Sequence, residues 1–565
     1  MHRYKFVEIL LAFLFFSLLT FIITYPALLS LNTKIIGDAG DNFQFIGFQY
    51  LGNKLFTEGN FPFGWTNNWR YPDGINFQNA TDSGIFILLG IFLYPLLINP
   101  LTVYNVSILI LVCLNLFLTY IAFRTVFSGL IAYTGAVIYG LSFYTLARIG
   151  GHPNLILHAG FPLFFISLYL ITKEKGSVKS FTIFTLGIVI LTVSSLQYPL
   201  LLLGSIIFLT PLTYLFFPAK IKEFISVLIA KKSQFILSII VFSVVTLLLY
   251  GHKISLFFSG GVTLPDYKFI SIPLVDYFIP NSYIVSLPFI AGNHSKSWIE
   301  YAVFLGYVEL LLLGAALVYI KKNTGKLFLI LGFLIIFILS LGKQPFLAFI
   351  WPYQYLIDIF PFRGIIEPGR FFVIFYFFLT LIVMIYLSKF KNHVLLFVIL
   401  AALLIEKVPT NTHIANVPSD EPFLNSVKFS ESNAVLDLPI FTEWWNGHLY
   451  DLYYIYHQKP IVNGYIHWSG DKYDPKSLIE ELKEYRCHPF PAHNYDEELS
   501  HFRKDRSIRL LNYYNIRTLV YHKKLAKEGD CHFVDQYLQT LINSHEDFIT
   551  LYEDSYTRVL WLKKR

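Results

Sequence analysis

Asp38 and Asp41 stand three residues apart in Gly37-Asp38-Ala39-Gly40-Asp41-Asn42, directly behind an apolar stretch long enough to cross a bilayer. Carboxylates beside hydrocarbon are costly, so a pair of them there needs a reason. Two readings are open. If a helix starts after Gly40, either acid can cap it, accepting hydrogen bonds from free N–H groups at the positive end of the dipole. Alternatively, one is the general base on an acceptor hydroxyl, or a ligand to a divalent cation such as Mg or Mn, with a pKa raised by the neighbouring apolar helices. The same loop continues through Phe61-Pro62-Phe63-Gly64-Trp65 and Trp69-Arg70-Tyr71-Pro72-Asp73-Gly74. Asp73 lies in a turn signal and reads as structural. Asp82 is a later acid of this loop and a second-rank candidate.

The cations come next. Arg148-Ile149-Gly150-Gly151-His152-Pro153-Asn154 joins the end of one expected helix to the start of another. A guanidinium beside free helix N–H groups is an anion site; the plain alternative is a tight turn with a snorkelling arginine. Pro361-Phe362-Arg363-Gly364-Ile365-Ile366-Glu367-Pro368-Gly369-Arg370 leads into another helix. Arg363 and Arg370, with Arg148, are the candidates to hold a phosphate, and Glu367 is an internal partner for one of them. His152 and Glu300, the latter in Trp298-Ile299-Glu300-Tyr301, are second-rank candidates. The ten histidines after residue 408 form no H-x-x-x-H or H-E-x-x-H arrangement, so no zinc site is assigned. Walker, dinucleotide and serine-elbow motifs are absent, which removes ATP-driven work by this chain from the reading.

These residues must be positioned by membrane helices. The chain is 55% hydrophobic and 14% charged, against about 25% charged in an ordinary globular protein. Apolar runs long enough to span a bilayer recur from Phe6 to Val408, predicting an α-helical polytopic membrane protein with about eleven spans. They fall near 6–29, 101–123, 129–147, 153–172, 178–195, 197–217, 234–250, 301–320, 327–342, 370–388 and 393–408. Ile85–Ile98 and Phe346–Phe360 are short and read as re-entrant or interfacial. The spans are nearly free of charge, which weighs against a transporter. Lysines cluster in alternate short loops, including 173–179 and 220–232. The positive-inside rule then makes the N-terminus and those loops cytoplasmic, and turns the loop 31–100 and the C-terminal region outward, with the plasma (inner) membrane as the location.

Residues 409–565 differ. They hold 18 Lys+Arg and 22 Asp+Glu, a net −4 that leaves +11 on residues 1–408. The basic excess therefore follows membrane topology and gives no argument for nucleic acid. Strand-like runs (434–440, 517–522, 548–553, 557–563) alternate with helix-like ones (475–486, 496–513, 533–545), predicting a small extracytoplasmic α/β domain. Cys487 and Cys531 share it and can bridge, though no spacing shows that they meet. Asn79 and Asn293 head glycosylation sequons on the expected outer side.

In this order the residues resemble the GT-C superfamily, integral-membrane glycosyltransferases that use polyprenyl-phosphate sugars, and more closely the YfhO-like bacterial and archaeal members. The resemblance rests on Gly37-Asp38-Ala39-Gly40-Asp41, Gly151-His152-Pro153-Asn154, Tyr277-Phe278-Ile279-Pro280, Pro368-Gly369-Arg370-Phe371, Val435-Leu436-Asp437-Leu438-Pro439 and Ile461-Val462-Asn463-Gly464-Tyr465. It implies a sugar transferred from a lipid-linked donor to a glycan, lipid or protein acceptor, with the catalytic acid at Asp38 and Asp41 next. Trp444-Trp445-Asn446-Gly447 is not the Trp-Trp-Asp-Tyr-Gly motif of the oligosaccharyltransferase branch, which puts transfer of a whole oligosaccharide in doubt. A transporter or flippase, or a non-catalytic partner in cell-envelope glycan assembly, is the alternative.

Overall fold

The computed structural model describes residues 2–259, 271–283, 298–319, 324–342, 362, 365, 367–409, 413–418, 421–440, 447–463, 478–482, 485, 487, 504–528, 531–544 and 547–564. Six of the described helices are long and apolar enough to cross a membrane: Phe6–Thr24, Pro100–Arg124, Pro153–Lys173, Gln197–Phe216, Lys232–Leu256 and Pro368–Leu387. Gly129–Gly140 and Phe143–Gly150 make a seventh crossing if counted as one span bent by 47°. Their break has a local cause: Ser142 caps the second piece through the backbone N–H of Thr145.

Four of the expected spans are present, over the described residues, as helices of 17 residues or fewer. Val178–Ser194 and Thr324–Ser340 have 17 residues each, Tyr307–Tyr319 has 13 and His393–Lys407 has 15. A bilayer core of about 30 Å asks for about 20 residues. Hydropathy cannot see the backbone event that shortens one of them: residues 299–301 form a separate 3-10 turn, and Gly306, at φ +92°, precedes the helix that starts at Tyr307. The expectation of spans nearly free of buried charge also needs correction. Lys407 Nζ lies 2.7 Å from Glu309 Oε1 with both side chains sealed from solvent. Gly84–Leu97, 14 residues, is as short as the sequence suggests. The stretch 346–360 lies outside the described residues.

The loop after the first helix is a folded element. Strand β1 (Lys34–Ile36) leads into the helix Asp41–Thr57; strands β2 (Trp65–Thr66) and β3 (Ile75–Asn76) form a hairpin. Trp69 is fully buried against Phe48, Phe77 and Tyr454. Asn79 is buried and pairs with His252 Nδ1 at 3.0 Å, so its sequon is not presented for modification.

β1 pairs antiparallel with β4 (Ile414–Asn416), just beyond the helix His393–Lys407. This pairing brings the first loop and the start of the C-terminal domain to one end of the helices. In that domain β5 (Val435–Leu438), β6 (Thr518–His522), β7 (Phe548–Glu553) and β8 (Thr557–Leu562) form a sheet in the order β5-β6-β8-β7, with β5 and β6 parallel and the rest antiparallel. All four expected strands are present, and helices at Lys504–Tyr513 and His532–Ser544 accompany them. Cys487 and Cys531 form a disulfide. The helix His448–His457, not expected from sequence, docks the domain on the first loop: Lys54 Nζ donates to Tyr454 Oη at 3.1 Å, and the backbone N–H of Tyr71 donates to Ile461 O at 3.0 Å.

Candidate active site

The helix Asp41–Thr57 begins at Asp41, and its cap residue is Gly40, at φ +105° with no side-chain cap bond. Neither acid is therefore the cap, and both carboxylates turn to other partners. Asp38 Oδ1 lies 2.9 Å from His413 Nδ1, and Tyr283 Oη donates to Asp38 Oδ2 at 2.8 Å. His413 Nε2 meets Tyr283 O at 3.0 Å, and the two rings stack with centroids 4.6 Å apart. The Asp38 side chain is still 45% exposed. It is thus held in place on two sides while open to solvent.

Its backbone is fixed as firmly. Asp38 N donates to Gly150 O at 2.7 Å, and Asn42 Nδ2 donates to both Asp38 O and Gly150 O. Gly37 sits at φ +113°, where a Cβ would come within 2.4 Å of Asn42 Nδ2 and 3.0 Å of Gly150 O. Only glycine lets the chain pass so close to the Arg148 turn.

Asp41 belongs to a second branch. Its Oδ2 is 2.8 Å from His152 Nδ1, and its Oδ1 is 3.0 Å from His448 Nε2 on the docking helix. His152, left-handed at φ +53°, presents its other nitrogen to Glu300 Oε1 at 3.4 Å. Glu300 in turn takes a bidentate pair from Arg148, both contacts 2.9 Å, and a third from Arg370 Nη2 at 2.8 Å. Arg370 also reaches Glu367 at 3.4 Å and Gln197. Arg148 and Arg370 are 0% and 5% exposed. Nearby, Asp82 Oδ2 accepts from Asn154 Nδ2 at 2.9 Å and Ser195 Oγ at 3.4 Å.

The electrostatics follow from these contacts. Burial pushes the Asp41 carboxyl up, but His152 and His448 together outweigh it and hold it well below the usual carboxylate range. Burial opposes charge on His448, yet hydrogen bonds to Asp41 and Asp451 raise it to about 9. His413 is likewise raised, burial being overcome by Asp38. Glu300 is driven below its ordinary value by Arg148 and Arg370 in spite of burial. Burial raises Asp82 and likewise Glu367, so both hold a proton more tightly than usual. Among the described residues no three His, Cys, Asp or Glu side chains converge as a metal-binding group.

Of the candidates read from sequence, Asp38, Asp41, Arg148, His152, Glu300 and Arg370 join one connected set, and Asp82 borders it. The arginines meet a protein carboxylate. Asp73 does structural work, its Oδ2 accepting from the backbone N–H of Leu478 at 2.8 Å. Arg363, like residues 444–446 and Asn293, lies outside the described residues. Sequence reading missed His413, Tyr283 and His448. The Asp38–His413 contact spans 375 residues, and a pairing so distant leaves no spacing to read. The one available signal was position: His413 follows the last apolar helix, just as Asp38 follows the first.

Fold and site together define a polytopic α-helical membrane protein with an acid–histidine cluster where its first loop meets an α/β domain. The chain belongs to the family described as "Domain of unknown function (DUF6311)", whose model matches residues 11–406. His413 and His448 lie beyond that match. No curated protein matches the chain. Among solved structures, an oligosaccharyltransferase from Archaeoglobus fulgidus, in complex with Zn and sulfate, aligns at 12% identity and a TM-score of 0.39, covering 98% of this chain and 73% of that one. That likeness is too distant to carry function.

Proposed function

We propose that this protein is a membrane glycosyltransferase that moves a sugar from a polyprenyl-phosphate donor to a glycan, lipid or protein acceptor on the outer face of the plasma membrane. The observation that carries the reading is Asp38, a carboxylate anchored by His413 and Tyr283 yet nearly half exposed. A sugar on a lipid phosphate already has a good leaving group, so the harder task is activation of the acceptor hydroxyl. A fixed, open carboxylate within hydrogen-bond reach performs it. Asp41 supports Asp38 through their shared turn and is held by His152 and His448. Arg148 and Arg370 act through Glu300 and His152 to hold Asp41, which leaves the donor phosphate to Arg363. The orientation rests on the lysine asymmetry of the short loops.

The test is transfer of radiolabelled sugar from a lipid-phosphate donor by the purified full chain. Transfer that needs Asp38 supports the reading. A wild-type protein that binds no such donor and transfers nothing would overturn it and favour a non-catalytic partner in envelope assembly.

A further inference from the structure

The helix Pro218–Ala230 has no fully buried residue and joins two spans with a single residue at each junction, Phe217 and Lys231. Its sequence, Pro-Ala-Lys-Ile-Lys-Glu-Phe-Ile-Ser-Val-Leu-Ile-Ala, is two-sided. Phe224, Val227 and Leu228 pack inward on the helical core. Ile225 and Ile229 point away from it, 49% and 69% exposed, and line a shallow cavity of about 480 Å³ with Lys222, Ser226 and Ala230. Exposed apolar residues on a helix that cannot span, flanked by lysines, are the pattern of an element lying in the membrane surface.

Charge specifies which surface. Lys222, Lys231 and Lys232 are exposed. The loop 173–179 adds three more lysines and is in contact with this helix: a Cβ on Gly176 would lie 2.8 Å from Lys231 Cγ and 2.9 Å from Val227 Cγ1. Across 173–179 and 218–232 there are seven lysines against two glutamates. Lys220 pairs internally with Glu223 at 2.7 Å, and Lys173 lies over the Tyr169 ring, 5.4 Å from its centroid.

We infer that the helix Pro218–Ala230 and the loop 173–179 form a binding surface for the headgroups of anionic phospholipids, with Ile225 and Ile229 inserted at the acyl boundary and Lys222, Lys231 and Lys232 on the phosphates. Continuity with two spanning helices puts the surface at membrane level. The lysine excess selects an anionic over a zwitterionic leaflet. A lysine near such a surface contributes about 1 kcal/mol, about fivefold in affinity.

Two measurements on the full chain test this. A nitroxide on Ile229→Cys in lipid nanodiscs should collide more with oxygen than with a water-soluble nickel complex; Cys113 is buried and Cys487 and Cys531 are bridged, so the label is selective. In detergent, phosphatidylglycerol should raise Tm by more than phosphatidylcholine does. The combined variant Lys222→Gln, Lys231→Gln, Lys232→Gln should lose most of that difference, while arginine at the same positions keeps it. A water-exposed label, equal stabilisation by the two lipids, or an undiminished preference in the glutamine variant would each overturn the inference.

Discussion

Among the described residues, the Glu309 and Glu300 clusters are two buried ionic groups built differently. Glu309 and Lys407 form a sealed pair: both are fully buried, Lys407 also sits 4.0 Å from the centroid of the Phe143 ring, and Tyr376 donates to Glu309 at 3.2 Å. Beside it Glu406 accepts the backbone N–H groups of Tyr307 and Val308, closing the start of that helix. The Glu300 cluster has a buried root of the same kind, Arg148 and Arg370 on one carboxylate. It then continues through His152 to Asp41, where side chains are 27% and 36% exposed. One cluster ends in the protein and the other ends in water. The two therefore differ in where their partners lead: inward for Glu309, and for Glu300 outward to an Asp41 carboxylate that solvent can reach.

The sharpest break of this comparison is Asp38→Asn. Loss of general-base help typically removes about 10²–10⁴-fold in rate. Sugar transfer should fall by that much, while expression, Tm and donor binding stay near wild type. Wild-type-like transfer by the variant would leave Asp38 as a structural anchor for His413 and Tyr283, and the outer cluster would be no more catalytic than the sealed one.

Removing the central carboxylate of each cluster comes next. Glu300→Ala takes the carboxylate from the buried Arg148 guanidinium and leaves Arg370 with Glu367 and Gln197 alone, and Glu309→Ala takes the carboxylate from Lys407; each should cost about 3–5 kcal/mol. The two then diverge. The pair replacement Glu309→Leu with Lys407→Met should recover the stability, since well-packed apolar groups often match or exceed a buried ion pair. Thermal unfolding in detergent checks both. Failure of the pair replacement to recover would show that the sealed pair also does something beyond packing.

The outer cluster should also respond to pH in a way the sealed pair does not show at the domain contact. His448 is raised from 6.5 to about 9 in the folded chain, so its contribution is fully present below 6.5 and is lost as pH rises through about 9. Asp41 is lowered below its ordinary 3.8, so its contribution is present above 3.8 and is lost as pH falls through the depressed value. Contact between the helix His448–His457 and the first loop should be firmest from about pH 4 to 6.5. Amide hydrogen exchange of that helix, corrected for intrinsic rate, should rise between pH 7 and 9.5 in wild type and flatten in His448→Gln. Equal pH dependence in both would remove His448 from the docking contact.

What the sequence made legible follows from range. The six longest apolar helices and all four strands of the C-terminal sheet are local patterns, and they lie where expected. Asp38, Asp41 and the Arg148 turn were legible because each sits next to an apolar stretch that has no need of it. The helix His448–His457 was not: its sequence carries four tyrosines, and its dominant contacts are with residues some 400 positions earlier, such as Lys54. The roles of Arg148 and Arg370 were open for the same reason. Charge and helix position suited a phosphate, and only the fold reveals that Glu300 already lies between them.

The smallest expected effect separates anchoring from catalysis within the outer cluster. Tyr283 donates one hydrogen bond to Asp38, while His413 supplies the other contact and stacks on the tyrosine ring. Tyr283→Phe keeps the ring, and with it the stack and the backbone carbonyl that meets His413 Nε2. It removes only the hydroxyl, and because Asp38 is 45% exposed, water can replace that donor. A net hydrogen bond is worth about 1 kcal/mol, so the rate should fall by less than about tenfold, with Tm almost unchanged. His413→Phe removes the imidazole partner instead, and should cost more than Tyr283→Phe on the same assay. If the two losses were reversed, the hydroxyl and not the imidazole would be the group that sets the carboxylate, and the base would have to be sought in a Tyr283–Asp38 unit.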